Sequence, residues 1–274
     1  MSLTPVIMGI LNVTPNSFSD GGDFTSIELA VQHALEMHEQ GATWIDIGGE
    51  STRPGAKAVN AEQELQRVIP VIEALHKENS EIKISIDTSK PEVMQAAVAA
   101  GAAMINDVCA LQAEGAVELA SELQVDVCLM HMQGTPRSMQ ENPEYGNVVE
   151  EVKQFLNMRA DACLKAGIKP ERITLDPGFG FGKSLQHNLL LLKHLEEFKS
   201  SGYKVLAGLS RKRMIGEVTG QSVDKRVTGS VACAILACLN GADIIRVHDV
   251  EQTRDALLMT SAVVEISSGE QDGA

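Results

Sequence analysis

Two aspartates, Asp87 and Asp176, and an asparagine, Asn106, each close a short apolar run, while Lys212, Arg246 and His248 bring nitrogen donors late in the chain. Carboxylates only accept hydrogen bonds, and an amide oxygen accepts too, so the first three suit a flat, nitrogen-rich ring with several N–H donors. Arg246 offers bidentate donors to phosphate oxygens. With His248 and Asn12 it suits a phosphate or diphosphate carrying a divalent cation, and Lys212 can bridge the two halves. Mg²⁺ keeps most of its waters and needs one or two protein oxygens, for which Asn12 is the nearest candidate. No HxH, HExxH or cysteine cluster argues for zinc.

These residues depend on strands to aim them. In Ile173-Thr174-Leu175-Asp176, side chains alternate, so Thr174 and Asp176 share one face and Ile173 and Leu175 the other. Ser85 pairs with Asp87, Gly208 with Ser210, and Arg246 with His248 in the same way. Pro177 cannot donate to a sheet, and Gly178, Gly180 and Gly182 follow at every second position, so the strand ends and its backbone can approach a ligand closely. An acid that faces inward needs a base or a donor-rich ligand as partner.

Apolar runs at 6–11, 43–47, 82–87, 103–107, 125–130, 173–176, 204–209 and 243–247 read as strands. Helical patterns lie between and after them, at 25–41, 60–77, from Ser89 onward, 113–123, 147–166, 184–199, 222–240 and 252–266. Thr25 with Glu28 and Ser89 with Glu92 have the capping-box form, the latter with Pro91 in the first turn. Eight strand-helix units imply an α/β fold, a single (β/α)8 TIM barrel over residues 1–266 with a disordered tail from Ser267. An open doubly wound sheet competes, but no GxGxxG follows the first strand and polar residues end strands along the whole chain. In a closed barrel the site forms at the C-terminal strand ends.

Composition narrows the function. The 274 residues are 44% hydrophobic, enough for a core, and the net charge of −14 disfavours nucleic acid or an anionic membrane as partner. No basic leader precedes an apolar stretch and the run from Val231 to Leu239 is too short to span a bilayer, so a soluble cytoplasmic protein is expected. Five cysteines without paired spacing argue for reduced thiols. Blander readings exist for single residues. An Asp or Asn after a strand can simply cap the next helix, although Ser89 already serves that purpose near Asp87 and the Pro177 loop separates Asp176 from the next helix. Arg246 and His248 can form an ordinary ion pair with a neighbouring carboxylate. His33, His38, His76, His187 and His194 fall in helical segments and read as solvated or second-layer residues.

Four stretches carry a family resemblance: 8–22 (MGILNVTPNSFSDGG), 48–55 (GGESTRPG), 176–183 (DPGFGFGK) and Ser210-Arg211-Lys212. Together and in this order they resemble dihydropteroate synthase. The resemblance implies condensation of 6-hydroxymethyl-7,8-dihydropterin diphosphate with p-aminobenzoate to 7,8-dihydropteroate and diphosphate, with Mg²⁺, in a homodimer that sulfonamides target. It assigns Asp87, Asn106, Asp176 and Lys212 to the pterin, with Asp87, Asp176 and Lys212 catalytic. Asn12, Arg246 and His248 fall to the diphosphate and metal, and Thr52, Arg53, Phe181 and Ser210 to the p-aminobenzoate pocket. Residues 13–23 and 50–59 then act as lids, and Asn16 stands where many relatives have Asp. Three rivals remain: a pterin binder without turnover, a methyltetrahydrofolate-binding methyltransferase domain, and a Schiff-base aldolase using Lys212.

Overall fold

The computed structural model describes residues 5–14, 23–51, 58–134, 139 and 143–266, with side chains from residue 26 onward in the first helix. Eight parallel strands close into a barrel: β1 (Val6–Asn12), β2 (Trp44–Gly48), β3 (Lys83–Asp87), β4 (Met104–Asp107), β5 (Asp126–Met130), β6 (Ile173–Asp176), β7 (Lys204–Ala207) and β8 (Ile244–Val247). Helices α1 (Asp23–Glu39), α2 (Ala61–Glu78), α3 (Pro91–Ala99), α4 (Ala116–Leu123) and α5 (Val148–Lys165) cover the first half. The second half carries α6 (Leu185–Lys193), α7 (Glu196–Lys199), α8 (Arg213–Thr219), α9 (Val227–Leu239) and α10 (Val250–Glu265). The expected TIM barrel is therefore the fold.

Strand alternation sorts the side chains into two layers. Ile45, Ile47, Ile84, Ile86, Ile105, Val127, Leu175 and Val205 point outward into one continuous core beneath the helices. The opposite parity fills the barrel. Near the strand starts this filling is apolar, with Met8, Trp44, Met104, Cys128, Leu206 and Ile244 packed together. Toward the strand ends it becomes polar: Asp46, Asn106 and Arg246 two residues beyond Trp44, Met104 and Ile244, with Ser85 and Asp87 on β3 and Asp176 on β6.

Several boundaries differ from the sequence expectation. The helix after Asp87 begins at Pro91, and its N-cap is Lys90, with no side-chain capping bond. Pro91 pushes the preceding residue into extended backbone, which moves the cap past Ser89. Likewise α1 starts at Asp23, placing Thr25 inside the helix and not at its cap. The segment 184–199 breaks at His194 into α6 and α7, and α9 starts only at Val227. Strand β7 ends at Ala207, and the separate helix α8 follows it. Within seven residues it has only Met214, Ile215 and the exposed Val218 as apolar signal, too little to betray a helix by periodicity. The tail from Ser267 lies outside the described residues. Among the described residues no helix is long and apolar enough to cross a membrane, and all five cysteines are free thiols.

Candidate active site

Asp46 is the deepest charge in the barrel and organises what lies above it. It sits on β2 between Ile45 and Ile47, fully buried, and its Oδ2 accepts from Asn106 Nδ2 at 2.9 Å and from Arg246 Nε at 2.6 Å. Arg246 also donates through Nη2 to Asp87 Oδ2 at 2.8 Å. The expected separation of an acidic pterin half from a cationic diphosphate half is therefore incomplete: Arg246 lies on the acids. The physical reason is that a buried carboxylate without a partner is costly, and Arg246 is the cation whose strand neighbours bring it in reach. Because the Asn106 amide nitrogen is turned toward Asp46, its carbonyl oxygen is left as an acceptor for a ligand. Burial outweighs Arg246 at Asp87 and, with Asp46 nearby, pushes its carboxyl up to about 7. Asp46 was missed from sequence, although an acid inside a strand between two isoleucines is itself a sign of a buried partner.

Asp176 ends β6, buried, with its Oδ1 accepting from the Gly178 amide at 2.7 Å. Burial holds its pKa above the usual carboxylate range, against the pull of the Gly178 N–H, Lys212, Arg246 and Lys183. The glycines serve a different purpose from the one expected. A Cβ on Gly178 (φ +68°) would lie 1.9 Å from the His131 carbonyl oxygen, and one on Gly182 (φ +62°) 2.5 Å from that of Gln133. What these two positions make room for is the loop after β5, not a ligand. Phe181 is buried beside Met130 and Met139, and the Lys212 ammonium lies 4.1 Å from its ring centre. Burial and Arg246 lower the Lys212 pKa to about 8.

Beyond β7, Arg211 adopts left-handed backbone (φ +57°) and is pinned from three sides. Its side chain pairs with Asp249, its amide donates to Ser230 Oγ at 2.9 Å, and its carbonyl accepts from Arg226 at 3.2 Å. Ser210 lies 3.0 Å from His248 Nδ1 and accepts from the His248 amide at 3.2 Å. Burial and the flanking Arg246 and Arg211 hold the His248 pKa down to about 4, so it is a neutral donor or acceptor here and not a cation. Asn12 ends β1 opposite Gly48. Thr52 and Arg53, with Asn16, lie outside the described residues. Beyond them Val59 returns to Glu50, whose Oε1 accepts its amide at 3.1 Å while Lys90 bridges Glu50 and Glu64.

The rim therefore brings together Asp87, Asn106, Asp176, Lys212, Arg246, Ser210 and His248, all at C-terminal strand ends or in the loops that follow. A separate cleft of about 290 Å³ lies between the loop after β6 and α8, lined by Gly180, Leu185, Asn188, Arg213, Met214 and Glu217 among others. Its acid, Glu217, is paired with Arg213, and its one buried charge is Lys183, which also lines it. For a metal, no group of three His, Cys, Asp or Glu converges among the described residues. An Mg²⁺ held chiefly by water and diphosphate oxygens needs no such group, and the Asn12 amide oxygen fits that donor set.

Residues 8–248 match the model of the pterin binding enzyme family. The chain is 52% identical to the dihydropteroate synthase of Escherichia coli (strain K12) over 260 residues, 95% of this chain and 92% of that protein. Among solved structures it resembles the Xanthomonas albilineans dihydropteroate synthase with 4-aminobenzoic acid, with a TM-score of 0.91, 54% identity and coverage of 96% and 94% of the two chains. The same protein in complex with 7,8-dihydropteroate gives a TM-score of 0.88 at 50% identity over 97% of each chain. Family match, identity over nearly the full length, and a polar rim on a closed barrel agree: this chain belongs to the pterin binding enzyme family, among the dihydropteroate synthases.

Proposed function

We infer that the chain is a transferase joining 6-hydroxymethyl-7,8-dihydropterin diphosphate to p-aminobenzoate, with diphosphate and 7,8-dihydropteroate as products. The observation that carries this is the acceptor set of Asp87, Asn106 and Asp176 on one rim, with Lys212 and Arg246 beside it. A pterin presents its amino group and ring N–H groups along one edge, and these acceptors match them.

In the reaction, Asp176 accepts from the pterin amino and ring N–H groups, using the oxygen that Gly178 leaves open. Asn106 offers its carbonyl oxygen, fixed by Asp46. The diphosphate leaves toward Arg246 and His248, whose donors take up its charge. For Arg246 this requires sharing or leaving the Asp87 bond. Asn12 would hold Mg²⁺, which supplies further neutralisation of the diphosphate when bound. As the exocyclic C–O bond breaks, positive charge develops on the ring, and the Asp87 and Asp176 carboxylates stabilise it. The p-aminobenzoate nitrogen then forms the new C–N bond and loses a proton. No protein nucleophile is needed. Phe181, Ser210, Thr52 and Arg53 shape the p-aminobenzoate pocket, where sulfonamides compete, and residues 13–23 and 50–59 close over the substrates to exclude water.

The assay is direct. Purified protein incubated with the dihydropterin diphosphate, Mg²⁺ and p-aminobenzoate yields diphosphate and dihydropteroate in equal amounts, and binding without turnover would instead make it a pterin carrier. Free thiols and the absence of a membrane-crossing helix among the described residues support a cytoplasmic enzyme. A homodimer is supported by the outward apolar side chains Leu236 and Leu239 on α9 and Leu258, Met259 and Val263 on the adjacent α10. Sedimentation at micromolar concentration tests it.

A further inference from the structure

The glycine-rich loop that follows Asp176 ends in a lysine that neither the pterin nor the diphosphate uses. Lys183 is 3% exposed, and its ammonium is enclosed by Phe181 O at 2.9 Å, Gly178 O at 3.0 Å, His131 Nδ1 at 3.0 Å and His131 O at 3.2 Å. Three N–H donors thus meet four acceptors, all neutral. A buried cation surrounded only by dipoles still needs an opposite charge in range, and Asp176 supplies it. The connection is short. Gly178 gives its N–H to Asp176 Oδ1 and its carbonyl to Lys183, so the lysine holds the residue that holds the acid. Phe181 is bound to the same ammonium through its carbonyl. From outside, Tyr145 donates to Gly182 O at 2.8 Å and closes the loop against the same side of the barrel.

We propose that Lys183 is a positioning residue for pterin binding: it fixes the turn that aims Asp176 and Phe181 at the barrel mouth and keeps a positive charge beside Asp176. This rests on the reading of Asp176 as the pterin acceptor. The groups facing Asp176 are the Gly178 N–H and Lys183 from its own loop, Lys212 from the loop after β7, Arg246 from β8, and the Cys128 thiol from β5 with Asp46 beyond it. Burial draws Lys183 down to about 7 while Asp176 pulls it up, and Lys183 in turn lowers Asp176 against burial. Loss of the ammonium leaves Asp176 with fewer cations, so it binds its proton more tightly.

Lys183→Met keeps an unbranched apolar stem and removes both donors and charge. The kcat/KM for the dihydropterin diphosphate falls about tenfold or more, and its acid limb moves up by about half a pH unit. A residue that only packed the loop would lower kcat/KM without moving the limb. A folded Lys183→Met enzyme whose acid limb coincides with wild type therefore overturns the proposal. Wild type runs alongside, since its failure to form dihydropteroate would sink the function and not the lysine's role. If the variant does not fold, wild-type protein labelled with ¹⁵N-lysine decides. The Lys183 Nζ resonance is expected to titrate near 7 and to shift when 7,8-dihydropteroate is added. An ordinary lysine titration, or no response to dihydropteroate, overturns the proposal.

Discussion

The two ends of the barrel interior are built on one cylinder, sharing β2, β4 and β8, and differ in chemistry. At the start of the strands Met8, Trp44, Met104, Cys128, Leu206 and Ile244 form a closed apolar plug. At the finish Asp46, Asp87, Asn106, Asp176 and Arg246 form a charged ring whose members bond to one another or to loop backbone. On β4, Met104 belongs to the plug and Asn106 to the ring, two residues apart. The plug holds the cylinder's shape, and the ring draws on that rigidity to keep charges in place where water would otherwise screen them. Stability and turnover should therefore separate by depth.

The largest effect expected is at the ring. Asp176→Asn keeps the shape but loses the carboxylate, and kcat/KM for the dihydropterin diphosphate should fall about a thousandfold, with little change in melting temperature. Near wild-type kcat/KM would remove Asp176 from the pterin site. Arg246→Met lies on the boundary between the two behaviours. It leaves Asp46 and Asp87 without their shared cation, so denaturant unfolding should reveal a cost of about 3–5 kcal/mol together with lost turnover. If stability is unchanged, the ring is better solvated than its burial indicates. Met104→Ala tests the plug: a loss of about 2–5 kcal/mol with kcat/KM held, measured well below the melting point, keeps the two layers distinct. A large fall in kcat/KM from this variant would show that the plug also tunes the site.

A pH profile refines the ring. Asp87 is pushed up to about 7, so its acceptor oxygen becomes protonated as pH falls through that value. Asp176, whose carboxyl is also raised, shares this acid limb, so kcat/KM for the pterin substrate should rise with pH across 7, and a profile flat from 6 to 8 would place Asp87 outside the rate-determining complex. The smallest effect belongs to Ser210→Ala. It removes one hydrogen-bond partner of His248, a change of about 1 kcal/mol, seen as a modest rise in the apparent binding constant for diphosphate in product inhibition. No rise at all would mean that His248 holds its ring orientation without Ser210.

Much of the barrel can be read along the chain because its signals are local. Alternation of apolar runs with helical patterns marks all eight strands, and parity within each run already turns Asp87, Asp176 and Arg246 inward. Boundaries were less legible where two local preferences compete, as when Pro91 displaces the helix cap from Ser89 to Lys90. Helix α8 escaped notice because only Met214 and Ile215 of its seven residues are buried. Thr52 and Arg53, prominent in the motif pattern, lie outside the described residues, so their place rests on resemblance.

What the amino-acid order determined by itself is the set of inward-facing groups, since strand alternation depends only on neighbours in the chain. What tertiary structure decided is which of those groups meet. Asp46 finds Asn106 60 residues away and Arg246 200 residues away, and Lys183 finds His131 at a separation of 52. Closure of the cylinder creates those pairs, and with them the orientation of Asn106, the neutral state of His248 and the raised pKa of Asp87. Burial and charge proximity are properties of space, and no local pattern encodes them.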